Sequence, residues 1–229
     1  MRMFGSPVHL MIFDVDGVLF DILGGLADNL EKTAIHFGLA LAPIKQSIAE
    51  IALGTRRIRG NARDSTRMLW PHLEKDEITM FVEYFQEVEH AHPYKLIKGV
   101  YEAIAFLRGY GMLLALATNN PMQSLLWRLE SARIDPKWFA AIVTKDNSYF
   151  KPHPRTFDPI FAMVPVSRDN TLYVGDLQID WDMARGGRVH FAAVLTGGVP
   201  RSAFLAEGVS DDHIFESLSD LLSHVEYRK

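Results

Sequence analysis

The sequence reads as an α/β protein: a parallel sheet with helices on both faces, and a small all-helical unit inserted after the first strand. Three observations predict this. Leu10, Met11, Ile12 and Phe13 form a short continuous apolar run, as a strand buried on both faces requires. From Asp21 to His92 apolar residues recur only at helical spacing, with no strand pattern. After Pro93 helical and strand patterns alternate to the end of the chain, the signature of right-handed crossovers in a parallel sheet.

Each element follows from its own residues. Ile22, Leu23, Leu26, Leu30, Ala34 and Phe37 mark a first helix, which Gly38 ends. Pro43 opens a second, with Ile44, Ile48, Ile51 and Ala52 on one face and a stop near Gly54. A third covers Asp64 to Trp70. A longer fourth, Asp76 to about Glu89, repeats Ile78, Phe81, Val82, Phe85 and Val88 every three or four residues. Together they make a unit of roughly 70 residues, within the small-domain range. The alternating part then follows: a helix at Gly99–Arg108 and a strand at Leu113–Ala117, then a helix at Met122–Ser131 and a strand at Ala141–Val143. A helix at about Arg155–Met163, strands at Thr171–Val174 and Phe191–Leu195, and a last helix near Leu218–Val225 complete the pattern. The expected division is a core of residues 1–20 and 94–229, with residues 21–93 as the helical insert.

Composition narrows the function classes. Of 229 residues 48% are hydrophobic and 23% charged, ordinary for a globular chain. A net charge of −4 gives no electrostatic support for a nucleic-acid partner. No apolar run reaches the ~18 residues of a membrane-spanning helix, so no membrane partner is expected. The N-terminal MRMFGSPVHL shows no signal-peptide pattern. Cysteine is absent, which removes disulfides, thiolate metal sites and a cysteine nucleophile, and fits a cytoplasmic protein.

The first apolar run ends in Asp14, Val15, Asp16 and Gly17. If the strand continues that far, both carboxylates point to one side, where they repel unless a cation or a shared proton offsets them. Taken alone, the stretch reads equally as an ordinary strand-to-turn cap. Polar residues also follow the other strands: Thr118 and Asn119, Lys151 in the segment after Val143, and Asp176 with Asp180. In a parallel sheet these strand ends border the ligand crevice.

That order of motifs resembles the haloacid dehalogenase-like superfamily. Asp14-Val15-Asp16-Gly17, Thr118-Asn119, Lys151-Pro152-His153-Pro154 and Gly175-Asp176 through Asp180 resemble its four motifs in sequence, and the insert resembles its alpha-helical cap. The resemblance covers nearly the whole chain and implies a Rossmann-like core. It also implies a phosphatase similar to phosphoglycolate phosphatases, with Asp14 as nucleophile and Asp16 as acid and base. Thr118, Asn119 and Lys151 would hold the phosphoryl group. Mg²⁺ would be bound by Asp14, Asp176 and the backbone carbonyl of Asp16, with Asp180 in support. The partner implied is a small phosphorylated metabolite, and the chain is expected to be a monomer or homodimer.

Asp16 separates reactions within the superfamily, since the dehalogenase and phosphonate-cleaving branches lack an aspartate there. A phosphosugar mutase of the beta-phosphoglucomutase type keeps both aspartates and is the second reading. A non-catalytic phosphometabolite-binding protein is the third. Val18 and Phe20 depart from the commonest pattern, and Phe20 narrows the pocket if it faces it. Arg56, Arg57, Arg59 and Arg63 are evenly divided between a solvated helix face and a contact with an anionic substrate, with Arg56 taken as the substrate-binding candidate. His90 and His92 flank one alanine, a spacing a metal could use, but read as hinge-region surface. Asp182 reads as a solvated helix residue, His153 fills the variable position of its motif and takes no role, and Asp21 reads as a helix cap or a residue facing the cleft.

Overall fold

The computed structural model describes residues 1–53, 55 and 62–226. A short hairpin, β1 (Arg2–Met3) and β2 (Ser6–Pro7), leads into the apolar run, which is strand β3 (Leu10–Phe13). A two-residue strand β4 (Phe20–Asp21) precedes four helices, α1 (Ile22–His36), α2 (Ala42–Ala52), α3 (Ala62–Leu69) and α4 (Lys75–Ala91). The chain returns through β5 (Lys95–Leu96), which pairs antiparallel with β4. Next come α5 (Val100–Gly109), β6 (Leu113–Ala117), α6 (Met122–Ser131), β7 (Ala141–Val143) and α7 (Asp158–Met163). Strand β8 (Thr171–Gly175), α8 (Gln178–Gly187), β9 (His190–Val194), α9 (Arg201–Ala206), β10 (Ile214–Phe215) and α10 (Leu218–Ser223) finish the fold.

Six strands form one sheet in the order β10-β9-β8-β3-β6-β7, every pair parallel. β3 lies at its centre, with Leu10 level with both Leu113 and Thr171. Its four residues are buried because they alternate between two cores. Met11 and Phe13 pack with Leu114, Leu116 and Val174 beneath α5, α6 and α10. Leu10 and Ile12 pack with Ala115, Ala117 and Tyr173 beneath α7, α8 and α9. Each such side chain is worth about 1.5–3 kcal/mol when buried, so a charge at Ile12 would break the sheet at its middle.

The four inserted helices enclose a separate apolar cluster of Ala34, Ile44, Leu69, Trp70, Phe81 and Phe85. The Trp70 indole N–H donates to the carbonyl of Ala40 at 3.0 Å, which satisfies the polar atom the ring would otherwise bury. Glu74 is the N-cap of α4, and its backbone N–H donates to the Glu77 side chain at 2.8 Å. This is the helical cap, and the β4–β5 ribbon stands where the chain crosses between it and the sheet.

Two expectations need correction. The helix read at about Arg155–Met163 begins as a 3₁₀ turn, Pro154–Phe157, and becomes α-helical only at Asp158. Pro159 has no N–H to give the carbonyl four residues back, so it is tolerated only in a helix's first turn. The final helix stops at Ser223 instead of Val225. The ribbon, the hairpin, α9 and β10 are too short to carry a periodic pattern and leave no signal in the sequence.

Candidate active site

Ladder geometry brings three strand exits to one edge. The Asp14 N–H donates to Val174 across the β3–β8 pair, and the Thr118 N–H to Val143 across β6–β7. Asp14 therefore lies between the exits of β8 and β6. It is buried, as are Thr118, Lys151, Asp176 and Asp180. Lys151 Nζ lies 2.7 Å from Asp14 Oδ1 and 2.9 Å from Asp180 Oδ1. Asn119 fixes the lysine's backbone through two bonds. Its amide donates to the Lys151 carbonyl at 3.1 Å, and its oxygen accepts the Lys151 N–H at 3.0 Å.

Asp180, in the first turn of α8, accepts four hydrogen bonds. Lys151 and the Tyr173 hydroxyl (2.6 Å) reach one oxygen, and the N–H groups of Asp176 (3.2 Å) and Leu177 (3.0 Å) reach the other. Such a carboxylate has no lone pair left to spare and shapes the loop that carries Asp176. Asp176 differs, because its buried Oδ1 has no hydrogen-bond partner among the described residues. Space around it is minimal: a Cβ on Gly197 would fall 1.8 Å from Asp176 Oδ2, and one on Gly17 2.1 Å away. Gly17 also turns at φ +74°, where a side chain is strained.

Charge follows burial. Desolvation pushes the Asp14 carboxyl up to about 7, against the opposing pull of Lys151. Asp176 is raised well above the usual carboxylate range, first by burial and then by Asp14 and Asp180. Burial works against charge on Lys151, but Asp14 and Asp180 together outweigh it and raise its pKa. Asp14 and Asp176 bring oxygens to one place, with the fully bonded Asp180 carboxylate within 4.8 Å of both. One ammonium does not balance three carboxylates, and an orphaned oxygen remains, so the donor set fits a hard divalent cation with oxygen ligands.

Asp16 lines the same cavity as Asp14 but pairs differently. Its oxygens accept from Arg128 of α6 and from the Asn120 amide, the latter at 2.9 Å. The cavity holds about 290 Å³. Its core side carries Asp14, Asp16, Thr118, Asn119, Lys151 and Asp176, and its cap side is largely apolar, with Leu30, Ile44, Ile48, Ile51 and Phe85.

The remaining candidates are elsewhere. Arg56, with Arg57 and Arg59, lies outside the described residues. Arg63 donates to the Thr79 hydroxyl at 2.7 Å. His90 packs on Trp127, His153 accepts the Arg155 N–H, and Asp182 faces Arg185 at 3.3 Å. Asp21 sits at the N-cap of α1 without a side-chain cap bond. Phe20 is fully buried in the core beneath the cap and does not line the cavity. Sequence reasoning missed Arg128, Glu89, Tyr94 and Asn120. Arg128 had a signal: it stands beside Leu125 and Leu129 on the buried stripe of α6, where a cation needs a reason.

Comparison with known proteins agrees with this geometry. A family model described as haloacid dehalogenase-like hydrolase matches residues 11–194. A phosphoglycolate phosphatase of Mesorhizobium japonicum is 28% identical over 84% of this chain and 85% of its own. Among solved structures, a candidate phosphoglycolate phosphatase from Haemophilus somnus superposes with a TM-score of 0.77 at 21% identity, covering 94% of this chain and 97% of that one. A candidate beta-phosphoglucomutase from Bacteroides vulgatus gives 0.69 at 21% identity, over 97% and 92%. The two structures share the fold with this chain.

Proposed function

This chain belongs to the haloacid dehalogenase-like hydrolases, and on that premise we propose that it is a Mg²⁺-dependent phosphatase that hydrolyses a small phosphomonoester through an aspartyl-phosphate on Asp14. The observation that carries the reading is Asp14 itself, a buried carboxylate against Lys151, with the unpartnered oxygen of Asp176 in the same cluster.

The residues supply the steps. An Asp14 oxygen attacks phosphorus while the ester P–O bond breaks, and the departing alkoxide takes a proton from Asp16. Water then attacks the aspartyl-phosphate and gives a proton to Asp16, releasing phosphate and restoring Asp14. Thr118 Oγ1 and the Asn119 N–H hold the phosphoryl oxygens, and Lys151 offsets their charge. Asp14, Asp176 and the Asp16 carbonyl would hold Mg²⁺, with Asp180 in support; the ion would neutralise phosphoryl charge. Residues 21–93 act as the cap that excludes bulk water, hinged near Phe20–Ile22 and Pro93.

The names of relatives put phosphoglycolate first among substrates to try. The mutase reading stays second, supported by the likeness to the Bacteroides vulgatus structure. Phosphate release from phosphoglycolate, hexose phosphates, nucleoside monophosphates and pyrophosphate, with and without Mg²⁺, tests the proposal. Release that needs Mg²⁺ and disappears in Asp14→Asn is expected. Release that survives in Asp14→Asn refutes it, and interconversion of sugar phosphates without release favours the mutase.

A further inference from the structure

One buried cation has no part in that chemistry. Arg128, on the sheet side of α6, leaves 9% of its side chain exposed and divides its guanidinium between two carboxylates. One nitrogen donates to Asp16 Oδ1 at the exit of β3. Another lies 3.1 Å from Glu89 Oε1 in the last turns of α4, the long cap helix. The guanidinium stacks 4.6 Å from the ring centre of Tyr94, which lies between α4 and β5 and whose hydroxyl also donates to Glu89. Asn120 holds the other oxygen of Asp16.

Space filling does not explain this choice. Leu125 and Leu129 occupy the same stripe, and a third leucine would avoid desolvating a guanidinium and two acids. Burial opposes charge on Arg128, yet Asp16, Glu89 and Tyr94 outweigh it and raise its pKa. What the planar fork supplies is direction, since it serves two carboxylates at fixed angles as a lysine cannot. One carboxylate is the acid and base of the proposed reaction, and the other belongs to the cap.

We propose that Arg128 is a positioning residue that orients Asp16 and makes that orientation depend on the seating of α4 through Glu89. The proposal rests on the phosphatase reading. Displacing the cap removes Glu89 from the guanidinium, whose fork is then anchored at one end only, and Asp16 keeps Asn120 but loses the fixed direction that the fork gives it. Proton delivery to the leaving oxygen is then geared to cap closure.

Leaving-group dependence separates this role from a merely structural one. An alkoxide needs the proton as it departs, whereas p-nitrophenolate scarcely does. Because Asp16 also serves the hydrolysis of the shared intermediate, the comparison is made in kcat/KM, which reads only the steps up to its formation. Arg128→Ala should lower kcat/KM on the alkyl phosphate hydrolysed fastest in the panel by about 10- to 100-fold, part of the roughly 10²–10⁴ that general acid catalysis supplies. On p-nitrophenyl phosphate the loss should be much smaller. Arg128→Lys should recover part of it, and in an Asp16→Asn background Arg128→Ala should add nothing. Glu89→Gln, the milder change if Arg128→Ala fails to fold, should show the same asymmetry at smaller size. Equal losses on both substrates, or none, overturn the proposal. Hydrogen exchange without substrate or metal gives a readout free of activity: amides of residues 88–95 should exchange faster in Arg128→Ala and Glu89→Gln, and unchanged exchange overturns the coupling. If the unaltered enzyme hydrolyses neither ester, the phosphatase reading fails by itself and the exchange result alone decides the coupling to the cap.

Discussion

Gly197→Ala isolates the placement of Asp176. Gly197 closes the turn after β9, and its φ lies outside the left-handed region, so an alanine there brings no backbone strain of its own. The new Cβ would stand 1.8 Å from Asp176 Oδ2, 2.5 Å from Cγ and 2.6 Å from Cβ, where real Cβ contacts essentially never fall below 3.0 Å. Turning the carboxylate alone does not relieve this, because the side-chain carbons are also too close. Asp176 must withdraw by about an ångström, a misplacement that costs on the order of 10²-fold in rate. Overpacking of this kind costs about 1–3 kcal/mol, or a Tm lower by roughly 2–12 °C at this chain length. Affinity for Mg²⁺ should fall about 10- to 100-fold, as for other disturbed ligand supports. Calorimetric Mg²⁺ titration beside phosphate release reads both effects. Gly109→Ala is the control, since nothing lies within 4 Å of a Cβ there. If Gly197→Ala binds Mg²⁺ and turns over like the unaltered protein, Asp176 is not a metal ligand.

Three further outcomes follow from the same cluster. The folded pKa of Asp14, about 7, exceeds its unfolded value near 3.8, so the folded state binds the extra proton between them. The stability this adds is full below pH 3.8 and lost as pH rises through 7; metal-free melts should show it, and Asp14→Asn should weaken the dependence to the part that Asp176 contributes with the same sign. Mg²⁺ must displace that proton, so its stabilising increment in Tm should be larger at pH 8 than at pH 6. Asp180→Asn places an amide against four donors and should destabilise the fold by about 3–5 kcal/mol, measurable by urea unfolding. Lys151→Met leaves Asp14 and Asp180 without their shared cation, and should abolish detectable phosphate release while lowering Tm.

The parts of this molecule legible in the sequence are those written in contiguous residues. Leu10–Phe13, Leu113–Ala117 and Thr171–Gly175 announce themselves as buried strands, and each ends in the polar residue it delivers. Once those strands are parallel neighbours, Asp14, Thr118 and Asp176 must meet at one edge. The β4–β5 ribbon was illegible because two residues per strand carry no period. Pro159 marks a helix's first turn, but its ring alone does not say that the turn before it is 3₁₀. Alternation predicted a common side for Asp14 and Asp16, and both do line the cavity, but their partners come from elsewhere: Lys151 for one, Arg128 for the other. The Glu89–Arg128 pair joins residues 39 apart in sequence across two packed units, and no local pattern encodes such a contact. The four acceptor bonds of Asp180 likewise turn a presumed supporting aspartate into the residue that shapes the Asp176 loop.

The most direct test of the account is to look for the covalent intermediate. Enzyme mixed with the preferred phosphomonoester and Mg²⁺, quenched in acid within one turnover and digested, should carry a phosphoryl group on the peptide containing Asp14. Turnover with no label on that peptide, or with the label on a different residue, would contradict it.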